Sequence, residues 1–85
     1  MQKYTVSLTK RAEKQLDKLP DLIAEPIIKS LDALAYNPRP HGYKKLKGRE
    51  AYRIRVGVYR VIYSIFDKVL IVDVIDIGHR KEIYL

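Results

Sequence analysis

Eighty-five residues are expected to form one domain spanning 1–85, with a single core burying about 60–65% of the surface the unfolded chain exposes. With 47% hydrophobic and 32% charged residues the composition is globular, and the lack of cysteine excludes a disulfide scaffold, a Cys-ligated metal site and a thiol nucleophile. The net charge of +7 lies within residues 39–60, where Arg39, Lys44, Lys45, Lys47, Arg49, Arg53, Arg55 and Arg60 are offset only by Glu50.

In chain order, Tyr4 to Leu8 alternates apolar and polar residues, the period of a half-buried strand. Thr9 can cap a helix whose stripe is Ala12, Leu16 and Leu19, and Pro20 stops it. Asp21 is the expected cap of a second helix with Ile23, Ile27, Leu31 and Leu34 on its buried side; Pro26 marks either its regular start or a kink. Asn37-Pro38-Arg39-Pro40 closes that helix. Residues 38–50 read as a basic loop. The period then changes to two: Tyr52, Ile54 and Val56 alternate with Arg53 and Arg55. Gly57-Val58 is a two-residue turn with glycine at its first central position. A strand follows from Tyr59 to Phe66, then a turn at Asp67-Lys68 and a β-branched strand from Val69 to Ile77. The tail from Gly78 to Leu85 leaves the sheet. The order β-α-α-β-β-β predicts an α+β fold, a two-helix hairpin on one face of a mainly antiparallel sheet. The apolar runs are too short for a transmembrane helix, and Met1 to Val6 lacks the apolar core of a signal peptide. A soluble cytoplasmic protein with no membrane partner is expected.

The Gly57-Val58 turn fixes a register: Val56 faces Tyr59, Arg55 faces Arg60, Ile54 faces Val61 and Tyr52 faces Tyr63. One side of this hairpin is a core face. The other carries Arg53, Arg55 and Arg60 and is expected to be open. Like charges directly opposite in a sheet are destabilising. An anion between Arg55 and Arg60 turns that repulsion into a bidentate clamp; the alternative is a solvated pair leaning apart, screened by Asp73, which the second turn places on the same side. Clustered positive charge points to a polyanion, against the plainer reading of a solvated basic surface.

The stretches Leu46-Lys47-Gly48, Tyr52-Arg53-Ile54-Arg55-Val56-Gly57, Tyr59-Arg60-Val61-Ile62-Tyr63 and Ile77 to Tyr84 resemble RelE-type toxins of the RelE/ParE toxin–antitoxin superfamily. Lys18-Leu19-Pro20 and Asn37-Pro38 are similar to the punctuation of that family's helical hairpin. The resemblance implies an mRNA interferase that enters the ribosomal A site and cuts mRNA without metal or cofactor, neutralised by a cognate acidic antitoxin. It implies Arg53, Arg55, Arg60, Arg80 and Tyr84 as catalytic positions. Arg39, Lys44, Lys45, Lys47 and Arg49 are the expected RNA- or ribosome-binding cations, a solvated loop being the alternative. Some members carry lysine in the Tyr-Arg-Ile-Arg strand and a longer tail. Arginine cannot serve as a general base, so the proton acceptor lies among His79, Tyr84 and a lysine. For His79 the favoured reading is a tail residue bonded locally, and His41 reads as plain surface. Two histidines without cysteine supply no metal-ligand cluster. Two rival functions remain: a ParE-type inhibitor of DNA gyrase with the same fold, and a non-catalytic module that holds an acidic partner.

Overall fold

The computed structural model describes residues 3–79. Its elements are β1 (Thr5–Leu8), α1 (Lys10–Asp17), α2 (Asp21–Leu34), β2 (Lys44–Lys45), β3 (Tyr52–Val56), β4 (Tyr59–Phe66) and β5 (Ile71–His79). The five strands form one sheet in the order β1-β5-β4-β3-β2, with β1 parallel to β5 and every other pair antiparallel.

An eight-residue helix is too short to hold by itself in water, so α1 depends on its docking. The Thr9 hydroxyl accepts from the Ala12 amide at 3.1 Å and donates to the Ile75 carbonyl at 3.1 Å, joining the helix start to β5. Ala12 is fully buried. The Gln15 amide accepts from the Ile77 N–H at 2.7 Å and donates to Asp76 at 2.7 Å. That side chain thus continues the edge pairing of β5 beyond the end of β1.

In α2 the cap position falls on Pro20, which offers no side-chain bond, and Asp21 is the first helical residue rather than the cap. There its carboxylate sits favourably in the first turn. Pro26 lies inside the helix and does not begin it. It removes the bond to the carbonyl of Leu22. Leu22 is exposed in the first turn, where water can serve that group. Ile27, Leu31 and Leu34 are buried and Ile23 packs beside them.

The β3–β4 hairpin has the expected register: Val56 opposite Tyr59, Arg55 opposite Arg60, Ile54 opposite Val61, Tyr52 opposite Tyr63. Gly57 takes φ +61°, the left-handed value that the first position of this turn demands, while Val58 does not. The second turn differs from expectation. Four residues, Asp67 to Leu70, separate β4 from β5, with Leu70 at φ 55°. β5 therefore begins at Ile71 and runs to His79, and its pairing shifts by one residue at Ile62/Tyr63. Asp73 consequently lies opposite Ser64, where it accepts from the Ser7 hydroxyl at 3.1 Å, well along the strand from Arg60. The expected screening role of Asp73 does not hold. β2 was not legible as a strand, because two lysines carry no period; only pairing with Arg53 and Tyr52 creates it.

Ile54, Val61, Tyr63, Val72, Val74 and Ile77 form the sheet side of the core, against Ala12 and the α2 stripe. Each fully buried aliphatic side chain stabilises the fold by about 1.5–3 kcal/mol. Tyr52 and Tyr59 pack partly buried against this core, and Tyr63 is wholly inside. The Tyr63 hydroxyl donates to the Pro38 carbonyl at 2.7 Å, and burial pushes its pKa up to about 12. At the same end of the sheet, Arg39 makes two bonds to the Asp67 carboxylate, at 2.8 and 3.2 Å, and the Tyr4 hydroxyl donates to it at 2.6 Å. The Arg39 guanidinium, then the Tyr4 hydroxyl, hold the Asp67 carboxyl down at about 2.

Candidate nucleic-acid interface

The alternation of β3 and β4 puts Arg53, Arg55 and Arg60 on the side of the sheet away from Ile54, Val61 and Tyr63. Arg55 is directly opposite Arg60, and Arg60 is flanked on β5 by Gly78, which has no side chain to compete for space. Lys44 lies opposite Arg53 and adds a fourth cation to this row. The carboxylate that the register brings opposite Ile62, Asp76, is engaged by Gln15 at 2.7 Å and Arg11 at 3.4 Å.

This side is not open as expected. Arg53 is 6% exposed, Arg60 2% and Ile62 3%, whereas Arg55 is exposed. Strand neighbours distinguish Arg53 from Arg55, but they do not account for the burial of Arg60, whose β5 neighbour is a glycine. Arg53 lies between Lys44 and Ile62, and Arg60 between Arg55 and Gly78. Arg55 has a neighbour on one side only, since β2 pairs with β3 no further than Arg53. Long guanidinium side chains bury their stems along such neighbours. The accessible member of the opposed pair is therefore Arg55.

The remaining expected residues fall in three places. Lys44, Lys45, Lys47 and Arg49 are exposed along β2 and the turn after it, with Lys45 3.5 Å from Glu50. Arg39 does not join them: its guanidinium is committed to Asp67, at the far end of β4 from Arg60. The signal that could reveal this, an acidic residue in the β4–β5 turn, has no sequence proximity to Arg39. Arg80 and Tyr84 lie outside the described residues. His79 pairs with Tyr59 and so sits on the core side of the sheet, its ring edge-on to Tyr59 at 5.7 Å. Gly78 and His79 are thus strand residues of β5, and the expectation that the chain leaves the sheet at Gly78 with His79 in a tail does not hold, because pairing with Tyr59 and Arg60 carries β5 two residues further. His41 is exposed, as a surface residue should be. With Lys44, Arg53 and Arg55 it lines a groove of about 430 Å³ beside the outer edge of β3, lined also by Ser30 and Ala33 of α2. Among the described residues, no group of three His, Asp or Glu side chains could hold a metal ion.

Residues 6–84 match a family model described as the ParE toxin of the type II toxin–antitoxin system parDE. The chain belongs to the RelE/ParE toxin family. It is 31% identical to the mRNA interferase toxin RelE of Escherichia coli, over 95% of this chain and 90% of the relative. The fold is similar to that of the toxin in the archaeal RelE–RelB complex of Pyrococcus horikoshii, with TM-score 0.82 and 32% identity over 92% of this chain and 96% of that one. It is equally similar to the toxin–antitoxin complex RelBE2 of Mycobacterium tuberculosis, with TM-score 0.84 and 30% identity over 94% of each chain. The toxin is thus an α+β member of a type II toxin–antitoxin system family, as its strand motifs led one to expect. Among its described residues, no helix is long and apolar enough to cross a membrane.

Proposed function

We propose that this toxin is an mRNA interferase that cuts mRNA in the ribosomal A site. The observation that carries the reading is the opposition of Arg55 and Arg60 on adjacent strands. RNA brings its own nucleophile: the 2′-oxygen attacks the neighbouring phosphorus, the bond to the 5′-oxygen breaks, and a 2′,3′-cyclic phosphate remains. The 2′-hydroxyl proton leaves to an acceptor and the 5′-oxygen gains one. The protein's share is to align these groups and stabilise charge on the phosphorane. Arg55 offers its donors directly. Arg60, buried opposite it, adds its positive charge to the potential at that phosphate. Arg53 and Lys44 extend the positive row toward the next phosphate. Lys45, Lys47 and Arg49 hold ribosomal RNA phosphates, Lys44 facing the substrate instead; Arg39 is left out of this set. Arg80 and Tyr84 complete the centre by resemblance, binding phosphate and orienting a base or proton. The partner is an acidic antitoxin that covers the arginine row. This accords with the complexes in which the similar Pyrococcus and Mycobacterium toxins were solved.

The test is ribosome-dependent cleavage of a defined mRNA by the purified toxin, with and without chelator, and its stoichiometric suppression by the antitoxin. A second reading is favoured by the description of the matching family model, which is that of the ParE toxin: inhibition of DNA gyrase. A supercoiling assay beside the cleavage assay separates the two. Supercoiling blocked while mRNA stays whole overturns the interferase reading.

A further inference from the structure

The groove beside β3 is set apart by where it lies. β2 ends opposite Arg53, so among the described residues the outer edge of β3 at Ile54 and Arg55 has no strand neighbour. The groove of about 430 Å³ runs along that edge, within the range of about 300–1,000 Å³ usual for small-molecule sites. Lys44, Arg53 and Arg55 supply positive charge, and none of the described lining residues is acidic. Ser30 and Ala33, one turn apart on α2, give it a small and uncharged lining, to which His41 adds an imidazole. A ligand matching both sets of residues is an anion joined to a flat, weakly polar body. Arg55 belongs to the groove and to the pair with Arg60, so a chain with regularly repeated negative charge can occupy both places at once.

We infer that this groove takes one nucleotide of single-stranded RNA flanking the cleaved phosphodiester, its phosphate on Lys44 and Arg55 with buried Arg53 adding charge behind them, and its base against Ser30, Ala33 and His41. The inference rests on the interferase reading and deepens it. Ser30 and His41 are then the side chains able to discriminate the flanking base, through hydrogen bonds to its edge and stacking on the imidazole.

The test measures binding of non-cleavable 2′-O-methyl oligoribonucleotides to the intact toxin by fluorescence anisotropy. A dinucleotide is compared with trinucleotides extended at either end. One extension is expected to tighten binding about tenfold, the worth of one stacked base with its phosphate. Ala33→Leu, a good helix former on the exposed side of α2, should fill the groove and abolish that gain; Ser30→Glu should do so by repelling the phosphate. Unchanged unfolding midpoints establish that both variants are folded. No gain from either extension, or a gain that survives both variants, overturns the inference. So do variants that bind RNA normally but lose the acidic antitoxin, since the groove is then a protein-docking surface. The two readings fail separately. Wild-type cleavage on ribosomes without an extension effect removes only the groove. An extension effect lost in Ala33→Leu, with no cleavage by the wild type, leaves an RNA-binding groove and removes the interferase.

Discussion

The two ends of β4 treat arginine in opposite ways. Beyond Phe66, Arg39 meets the Asp67 carboxylate through two bonds, with Tyr4 as a third partner, and the cluster ties together the α2–β2 connection, the β4–β5 turn and the N-terminal strand. Beside the Gly57 turn, strand register sets Arg55 across from Arg60. A cation given a carboxylate in reach contributes to holding the fold. A cation set against another cation raises the local potential, at some cost in stability, and that potential is what a phosphate responds to. On the proposed function, the contrast separates an arginine that ties the fold together from a pair that meets phosphate, a distinction that net charge alone does not contain.

The largest effect should follow from Arg55→Ala. Removing one donor to a developing phosphorane charge is expected to lower the single-turnover cleavage rate by about 10²–10³, or about 2.7–4 kcal/mol, by analogy with oxyanion-hole deletions. Because Arg55 is exposed, its unfolding midpoint should stay within about 0.5 kcal/mol of wild type. A clear loss of stability with near-normal cleavage would reverse the assignment of this end to function.

Arg60 sharpens the point because it is buried as well as opposed. Arg60→Ala leaves a void where a 2%-exposed side chain stood, so both rate and stability should fall. Arg60→Met keeps most of the volume and removes the charge; buried ion sites replaced by apolar groups of similar size are often neutral or stabilising. That variant should retain or gain stability while losing cleavage by a factor similar to Arg55→Ala. Denaturant midpoints and single-turnover rates on the same preparations decide it. Normal cleavage by Arg60→Met would leave Arg60 a purely structural residue.

At the other end, effects should be on stability alone. Tyr63→Phe deletes the hydroxyl bond to Pro38 and should cost about 0.5–1.5 kcal/mol with cleavage unchanged. The pH dependence carries a sign. The Tyr63 pKa is raised in the folded state, so its contribution is whole below pH 10 and is lost as pH climbs toward about 12. Urea midpoints between pH 8 and 12 should show a shallower alkaline decline for Tyr63→Phe.

The smallest effect concerns Asp67. Its folded pKa of about 2 lies below the ordinary 3.8, so its contribution is present above about pH 4 and fades as pH falls toward 2. The advantage of wild type over Asp67→Asn should shrink through that window and should weaken in high salt, since the pair is solvent-exposed. An advantage that persisted at pH 2 would mean that Asp67 acts through packing rather than charge.

Much of this molecule is written in local patterns. The stripes of α1 and α2, the Thr9 cap, the alternation in β3 and β4 and the glycine at the one hairpin position needing positive φ are all decided by neighbours within a few residues. From that turn the register follows, and from the register the opposition of Arg55 and Arg60, because a two-residue loop leaves the strands no other pairing. The strand motifs likewise pointed to the toxin family. Other features depend on residues brought together from far along the chain. A two-residue strand exists only through its partners; the one-residue shift in β5 accompanies a four-residue turn where two residues sufficed on propensity; Arg39 finds Asp67 28 positions away. Burial of Arg53 and Arg60, and exposure of Arg55 between them in sequence, follow no local pattern. Local sequence determines which side of a sheet a residue takes, since the pleat alternates with period two. Tertiary packing alone decides whether that side is covered, since this depends on which distant segments come to lie across it.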